Sequence, residues 1–317
     1  MGEFDLIARY FRRPVRRSPL GVGDDCALLA PAPGMQLAVS TDLLVEGRHF
    51  LSTVDPEALG HKCLAVNLSD LAACGARPLA FTLALSLPEA DERWLAPFAR
   101  GLLALADAHG CELVGGDTTR GPRVVGITIF GEVPAGQALL RSGARAGDEV
   151  WVSGTLGDAR LALEVFRGTR QVDAEVFRMA RARLERPEPR VTLGLALRGL
   201  ASAAIDVSDG LSGDLGHVLA ASGVGATLQT DTVRARMAAR DAVTADDDLD
   251  FALCGGDDYE LAFTAPPQAR EAVLRAGREA GVAVTCIGRI DAAPGLRLET
   301  SDGRHVHRPL ASFDHFA

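Results

Sequence analysis

Residues 55–75 read Asp-Pro-Glu-Ala-Leu-Gly-His-Lys-Cys-Leu-Ala-Val-Asn-Leu-Ser-Asp-Leu-Ala-Ala-Cys-Gly. Asp55 before Pro56 is a typical helix start, and Gly75 is a typical left-handed terminator, so the stretch predicts one helix. Positions 59, 63, 66, 70 and 73 share one face at 3.6-residue spacing, and all but Asp70 are apolar. A carboxylate on an apolar stripe is unfavourable unless it is paired or metal-bound, so Asp70 is a candidate functional residue.

The segments on either side of this helix predict a first half of mixed helix and strand. Apolar runs at 26–30 and 37–40 are separated by turn residues and predict a hairpin with acidic groups at its open end. Further strands are expected at 79–87, 112–114 and 124–130, with a helix at 92–109. A new unit begins near residue 149, so the predicted domains are 1–148 and 149–317.

The second half mixes predicted helices and strands, which is typical of a layered α+β or α/β domain. The expected helices lie near 157–167, 173–184, 190–200, 211–221 and 268–280. The expected strands lie near 149–153, 203–207, 224–229, 260–264 and 283–287. A chain of 317 residues is also long enough for two domains of ordinary size.

Composition excludes several classes of protein. No apolar run is long enough for a membrane helix, and the acidic N-terminus lacks the layout of a signal peptide, so we expect a cytoplasmic protein. The net charge of −9 disfavours non-specific nucleic-acid binding, which needs a basic surface. The six cysteines are scattered without a C-x-x-C pair, which argues against a disulfide framework and against a zinc site.

Lys62 is the only lysine in the chain. A P-loop requires a lysine in its glycine-rich motif, and no such motif is present. Any phosphate chemistry must therefore use metal ions, arginine or backbone amides.

Acidic residues recur at the ends of predicted strands in the first half: Asp24, Asp25, Asp42 and Asp117. Each alone is explained equally well as a turn former or a helix cap. Together with Asp70 they form a set of hard oxygen ligands, which suits Mg²⁺ and, through the metal, a nucleotide.

The second half offers two similar segments, Ile205–Gly210 and Gly255–Glu260. The first contains Asp206, Ser208 and Asp209, which fit either a helix-capping turn or a metal and phosphate cluster. The second places glycines before Asp257, which fits either a tight turn before an edge strand or a close approach of backbone to a ligand. Arg141 is either a solvated loop residue or a phosphate ligand. The segment Arg186–Arg190 is interpreted as a stiff linker between helices.

Read in order, these segments resemble the thiamine-monophosphate kinase family. The stretches that carry the resemblance are 21–25 (GVGDD), 40–50 (STDLLVEGRHF), 65–73 (AVNLSDLAA), 115–121 (GGDTTRG), 141–144 (RSGA), 152–158 (VSGTLGD), 205–211 (IDVSDGL), 255–261 (GGDDYEL) and 313–316 (FDHF). They span nearly the whole chain. Two positions depart from the family pattern, since Asp257 stands where Glu is common and Phe313 where Tyr or Trp is common.

The resemblance implies a set of ligands. Several Mg²⁺ ions would be held by Asp25, Ser40, Thr41, Asp42, Asp70, Asp117, Asp206 and Asp209. ATP would contact Gly116, Asp117, Arg141 and Ser208. Thiamine monophosphate would face His49, Asp257 and Phe313. The implied fold is that of the aminoimidazole-ribonucleotide synthetase superfamily, in which N-terminal domains pair into a homodimer with a shared β-barrel and active sites lie near that interface.

The implied reaction is phosphorylation of thiamine monophosphate by ATP to give thiamine diphosphate. The substrate phosphate is largely a dianion at neutral pH, since its second pKa is about 6, so no side-chain acid or base is expected. Direct in-line transfer is predicted. The alternatives are another ATP-using synthetase of the superfamily, a non-catalytic Mg–nucleotide-binding protein and a metal-dependent phosphatase. Selenophosphate synthetase is disfavoured because Cys26 and Lys62 do not form its N-terminal reactive pair.

Overall fold

The computed structural model describes residues 2–310 and residue 312. It contains two compact units: Met1–Leu71 with Ala76–Gly136, and Ala72–Gly75 with Gln137–Ala317. The predicted division at residue 148 stays a prediction.

The first unit is a four-stranded sheet with two long helices. The chain begins with a short helix α1 (Glu3–Leu6) that continues as one π-helical turn over Ile7–Phe11. The remaining elements are β1 (Met35–Val45), α2 (Pro56–Ala73), β2 (Arg77–Leu87), α3 (Glu92–Ala108), β3 (Glu112–Arg120) and β4 (Val124–Pro134). The strand order is β1-β4-β2-β3, so β1 and β3 form the two edges of the sheet.

The predicted hairpin between 26–30 and 37–40 is wrong. Strand β1 pairs along its whole length with β4, from Met35 opposite Pro134 to Val45 opposite Val124. In the segment before β1, Leu28 makes only an isolated bridge to Leu20. A turn signal between two apolar runs favours local pairing, whereas the partner of β1 lies roughly 90 residues further along the chain, where no local pattern reveals it.

Two glycines allow α2 and α3 to pack at close range. A methyl group added at Gly60 would lie 2.1 Å from the carbonyl oxygen of Phe98, and one added at Gly101 would lie 1.9 Å from that of Glu57. The helix backbones therefore touch directly at these positions. The apolar side of α2 is buried, including Leu59, Cys63 and Val66.

The second unit is built on a seven-stranded sheet. Its strands are β5 (Glu149–Ser153), β6 (Ala203–Asp206), β7 (Gly225–Gln229), β8 (Leu261–Ala265), β9 (Val284–Asp291), β10 (Gly295–Glu299) and β11 (His305–Val306), in the order β11-β10-β7-β9-β5-β8-β6. Its helices are α4 (Asp158–Phe166), α5 (Ala174–Glu185), α6 (Val191–Leu197), α7 (Leu211–Ser222), α8 (Thr230–Arg234), α9 (Ala245–Cys254) and α10 (Arg270–Glu279). Short 3₁₀ turns cover Arg240–Ala242 and Pro267–Ala269.

Every helix and strand expected in the second half is present, within about four residues at each end. Helices α8 and α9 and strands β10 and β11 were not predicted. Strand β8 lies between β5 and β6 and is not an edge strand. The interpretation of Gly255–Glu260 as a tight turn before an edge strand is therefore wrong. Among the described residues, no helix combines the length and the apolar character that crossing a membrane requires.

The glycine contact between α2 and α3 predicts the effect of a single methyl group. Gly60→Ala should lower the free energy of unfolding by about 2 kcal/mol or more, because the methyl group meets backbone atoms that have no room to move. Gly216→Ala in α7 is the matched control, because a methyl group there meets nothing within 4 Å. It should raise stability by about 0.5–1 kcal/mol through helix propensity. Urea unfolding of both variants measures the difference, and equal midpoints would contradict the packing described.

Candidate phosphate and metal site

In the first unit, β1 and α2 bring three predicted ligands into one neighbourhood. The Ser40 hydroxyl donates a hydrogen bond to the carboxylate of Asp70. The backbone N–H of Asp42 donates to Oδ1 of Asn67 at 3.2 Å. Ser40 and Asp42 point to the same side of β1 because side chains alternate along a strand. The side chain of Asp70 meets the polar side of β1, which explains why a carboxylate is tolerated on the apolar face of α2.

Asn67 is a site residue that the sequence analysis did not single out. It is fully buried, and its amide nitrogen donates to the carbonyl of Cys63 at 3.0 Å. This bond orients the amide oxygen toward Asp42. The signal available in the sequence was a polar residue three positions before Asp70, within the run 63–73 whose other polar residues are Ser69 and Asp70.

Thr41 lies on the opposite side of β1 from Ser40 and Asp42. Its hydroxyl is 2.9 Å from that of Thr128 on β4. Leu37, Val39 and Leu43 share this side and are 43%, 56% and 57% exposed. A contribution of Thr41 to a metal on the Ser40 side would therefore come from its main chain.

Asp117 lies within β3, not at the end of a strand as predicted. The register aligns Asp42 with Ile127, Ile127 with Leu83, and Leu83 with Gly116, the residue before Asp117. Three strand spacings of about 4.8 Å therefore separate β1 from β3, roughly 14 Å in total. The structure does not bring Asp117 together with Asp42 in one chain.

Gly116 is required by the path of β3. Its φ is +145°, and a methyl group there would lie 1.9 Å from the carbonyl oxygen of Leu83. The β-bulge of β3 lies just before this residue, where Leu113 and Gly115 pair with the consecutive residues Phe81 and Thr82. Gly116 thus allows the backbone before the exposed Asp117 to run against β2.

His49 is held by the turn that follows β1. The backbone N–H of Val45 donates to Nδ1 of His49 at 3.0 Å, and the N–H of His49 donates to the Val45 carbonyl at 2.9 Å. Because Nδ1 accepts a hydrogen bond, the proton of the neutral ring resides on Nε2. His49 can therefore donate to an anionic group through Nε2.

Asp25 lies in an exposed bend before β1, where its N–H donates to Oδ1 of Asp24 at 2.8 Å.

In the second unit, Asp214 organises the segment after β6. Its Oδ2 accepts hydrogen bonds from the N–H groups of Ser208 and Asp209 at 3.0 and 3.1 Å. Burial raises the pKa of Asp214 to about 7, although these two donors act in the opposite direction. Asp206, at the end of β6, is 7% exposed. Two of the three predicted ligands of this segment, Ser208 and Asp209, are therefore held by a carboxylate on the next helix.

The segment Gly255–Glu260 is joined to residues 207 and 208 by backbone hydrogen bonds. The N–H of Asp257 donates to Ser208 and that of Tyr259 to Val207, both at 2.8 Å. A methyl group on Gly256 would lie 2.5 Å from the Ser208 carbonyl oxygen, which explains the glycine. The structure thus brings together Ser208 and Asp257, which the sequence assigned to separate motifs.

Asp257 and Tyr259 have positive φ angles of 67° and 50°. Left-handed backbone is unfavourable for residues other than glycine and persists where surrounding contacts impose it. The hydroxyl of Tyr259 lies 3.4 Å from Oδ1 of Asp257. Phe313, the remaining predicted substrate residue, lies outside the described residues.

Arg141 is exposed in the segment before β5. Its carbonyl accepts a hydrogen bond from the Ser222 hydroxyl at 3.2 Å, and that hydroxyl accepts the N–H groups of Gly143 and Ala144 at 3.1 Å. The loop is fixed by its main chain, so the guanidinium is available to solvent.

Within the part of the chain that the structure describes, no three His, Cys, Asp or Glu side chains form a group that could hold a metal ion. The oxygen-only donors at Ser40, Asp42 and Asp70 nevertheless have the chemistry that Mg²⁺ prefers.

Two deeply buried carboxylates, Asp258 and Glu260, were not singled out from the sequence. Both oxygens of Asp258 accept the N–H of Gly157, at 3.0 and 2.9 Å. Burial raises the pKa of Asp258 well above its usual value, and the carboxylates of Asp158 and Glu260 act in the same direction. Burial therefore shifts Asp258 toward its protonated form in the folded chain relative to the unfolded chain.

Comparisons with known proteins identify the class first. Residues 23–133 match the family model of the AIR synthase related protein, N-terminal domain, and residues 145–301 match that of the C-terminal domain. The chain therefore has the two-domain fold of the AIR synthase related proteins, with the mixed helix and strand content expected from the sequence.

Within this class, the chain belongs to the thiamine-monophosphate kinase family. It is 49% identical over 322 residues to the thiamine-monophosphate kinase of Salmonella typhimurium, covering 100% of this chain and 98% of that protein. The crystal structure of thiamine-monophosphate kinase from Stenotrophomonas maltophilia K279a is 46% identical, with a TM-score of 0.85 and 96% of each chain covered. AaThiL complexed with AMPPCP and TMP is 29% identical, with a TM-score of 0.74 and 89% of each chain covered. The resemblance read from the motifs is confirmed.

The environment of Asp258 predicts a pH-dependent difference in stability. Because its pKa is raised in the folded chain, the unfolded chain releases a proton that the folded chain retains as pH increases above about 4. The wild type should lose stability relative to Asp258→Asn by about 1.4 kcal/mol per pH unit, up to the raised pKa. Urea unfolding of both proteins at pH 5, 6 and 7 measures this divergence. Parallel profiles would contradict the raised pKa of Asp258 in the folded chain.

Proposed function

We propose that this chain transfers the γ-phosphoryl group of ATP to thiamine monophosphate, forming thiamine diphosphate. The observation that carries the proposal is the full-length likeness to thiamine-monophosphate kinases, at 49% identity with the Salmonella typhimurium protein. The relative AaThiL, complexed with AMPPCP and TMP, supports ATP and thiamine monophosphate as the two substrates. The cytoplasmic location remains a prediction from the sequence.

The side chains support a reaction without a protein acid or base. The acceptor phosphate is already largely dianionic at neutral pH, since its second pKa is about 6. His49, whose Nδ1 accepts the Val45 N–H, is oriented to donate from Nε2 to an anion and not to remove a proton there. What remains for the chain is to hold two anions in line, which is how phosphoryl transfer is generally catalysed.

We assign the ligands as the resemblance implies. Bound Mg²⁺ would neutralise charge on the phosphates. The proposed metal ligands are Asp25, Ser40, Thr41 (through its main chain), Asp42, Asp70, Asp117, Asp206 and Asp209. The proposed ATP contacts are Gly116, Asp117, Arg141 and Ser208, and the proposed substrate contacts are His49, Asp257 and Phe313. The contact of Ser40 with Asp70 and the hydrogen bond between Asp257 and Ser208 support these groupings within each unit.

A direct assay tests the proposal. Purified protein with ATP, Mg²⁺ and thiamine monophosphate should yield thiamine diphosphate on chromatography, and removal of the metal with EDTA should abolish the product. Asp42→Asn and Asp117→Asn should each reduce turnover by at least about 100-fold, because each removes a charge that positions the phosphates. Glu271→Gln in α10 is the matched control, because it removes an exposed carboxylate that is not among the candidate ligands.

Two other outcomes would contradict this assignment. Release of inorganic phosphate without thiamine diphosphate would indicate a phosphatase. ATP binding without any product would instead favour another synthetase of the superfamily.

We also propose that the chain acts as a homodimer whose first units pair through the β1 side that carries Leu37, Val39 and Leu43. These side chains are about half exposed on an edge strand, and apolar patches of this kind mark association surfaces. A second copy of the same sheet would cover the patch and close the open edges at β1 and β3. This pairing corresponds to the shared β-barrel that the resemblance implies.

Such a dimer would also complete the metal site. Within one chain, Asp42 and Asp117 lie on opposite edge strands of the sheet. If the β1 edge of one chain meets the β3 edge of its partner, Asp42 lies on the strand adjacent to the one that carries the partner's Asp117. The roughly 14 Å separation within a chain would then fall to about one strand spacing.

Mixing two inactive variants tests this arrangement. A hybrid dimer of Asp42→Asn and Asp117→Asn chains would contain one site with both substitutions and one intact site. The purified hybrid should therefore show about one half of the wild-type activity, because one of its two sites is intact. Differently tagged chains, co-expressed and purified through both tags, provide the hybrid, and each pure variant is the control. An inactive hybrid would place both aspartates in the same chain's site, and a monomer in sedimentation would remove the dimer itself.

A further inference from the structure

The segment Arg186–Arg190 does more than join two helices. Arg190 approaches Glu260 with two nitrogens: Nε lies 2.6 Å from Oε2 and Nη2 lies 2.5 Å from Oε1. Arg183, at the end of α5, adds a bond from Nη2 to Oε1 at 2.7 Å. The Ser153 hydroxyl donates to Oε2 at 2.5 Å. Glu260 is fully buried, so both of its oxygens are occupied by donors from three other elements of the second unit.

Arg183 also bonds to the main chain of the segment Gly255–Glu260, which contains Asp257. The same Nη2 donates to the carbonyl oxygen of Asp258 at 3.2 Å. This carbonyl lies between Asp257 and Tyr259, the two residues with left-handed backbone. The carbonyl of Glu260 also accepts the N–H of Val207 at 2.8 Å. The segment Gly255–Glu260 is therefore held both by the two arginines and by the main chain of residues 207–208.

We propose that Arg183 and Arg190 are positioning residues for Asp257. They hold Glu260 and the carbonyl of Asp258, and thereby impose the left-handed conformation that sets the direction of the Asp257 side chain. The inference rests on the proposed function, in which Asp257 faces thiamine monophosphate. It assigns a role in substrate recognition to a segment that the sequence pattern described only as a linker.

The chemistry of the contact favours a geometric role. A guanidinium presents its donors in a planar fork that matches a carboxylate, so the pairing fixes direction as well as charge. Buried ion pairs are often replaceable by apolar residues without loss of stability, so stability alone does not explain this cluster. Pro187 and Pro189 restrict the backbone of the segment that delivers Arg190. Asp257 is one methylene shorter than the Glu that is common at this position in the family. The orientation of its side chain must therefore be set more closely if it is to reach the substrate.

Arg190→Lys is the principal test, because lysine keeps the charge but loses the fork. The KM for thiamine monophosphate should increase about tenfold, the loss expected for a charge-assisted hydrogen bond. The KM for ATP and kcat should each change less than about threefold, since the substitution leaves the transferring phosphate's ligands in place. Arg181→Lys in α5 is the matched control, because Arg181 pairs at 2.8 Å with Glu185, which lies outside the segment Gly255–Glu260. Its constants should equal those of the wild type.

A double-mutant cycle separates positioning from a general structural role. If Arg190 acts through Asp257, Arg190→Lys should add no further increase in KM when Asp257 is already Ala. An equal increase in both backgrounds would overturn the proposal, as would a lowered melting temperature with unchanged KM. If Arg190→Lys does not fold, Arg183→Met enters the same cycle, since Arg183 is the more exposed of the two.

The wild-type measurements distinguish this inference from the function on which it rests. Wild-type protein that neither binds nor phosphorylates thiamine monophosphate, by calorimetry and by product assay, overturns the proposed function and the positioning role together. Active wild type with an Arg190→Lys variant of unchanged KM overturns the positioning role alone.

Discussion

In both units, carboxylates lie in buried or half-buried surroundings, and the fold supplies donors to each. Glu260 is held by Arg183 and Arg190. In the first unit Ser40 donates to Asp70. An ionised carboxylate removed from water is unfavourable unless its oxygens are bonded, so the conformations of the neighbouring segments are compatible with these carboxylates only because the donors are present. The proposed ligand segments depend on this constraint.

The positions of the proposed ligand segments also depend on close contacts between backbones, which glycine makes possible. Gly116 lets β3 run against β2 beside Asp117, and Gly256 lets its segment reach Ser208. These contacts explain why motifs separated by about 50 residues in the second unit act as one group: the N–H of Asp257 bonds to Ser208. The charge of the chain fits the same design. An acidic protein with a single lysine can hold two phosphate-bearing substrates if metal ions supply the positive charge.

Local signals predicted much of this structure because they act within a few residues. The cap at Asp55 and the terminator at Gly75 correctly bounded α2, which runs over Pro56–Ala73. Asp70 stood out because a carboxylate on an apolar stripe requires a partner, and Ser40 is that partner. Such local signals do not predict which strands pair when they lie far apart along the chain. The hairpin prediction failed because β4, far along the chain, pairs with β1, and Thr41 could not be separated from Ser40 and Asp42 until the extent of β1 was known.

The sequence by itself determined the types of residue available, most of the helices and strands, and, through motifs in order, the family to which the chain belongs. Those properties depend on local periodicity, turn chemistry and residue identity. Only the tertiary structure decided which carboxylates lie together, that Asp42 and Asp117 occupy opposite edges of one sheet, and that Arg183 and Arg190 converge on Glu260. These facts follow from sheet register and from the burial of distant segments against one another, and neither is encoded in the spacing of residues along the chain.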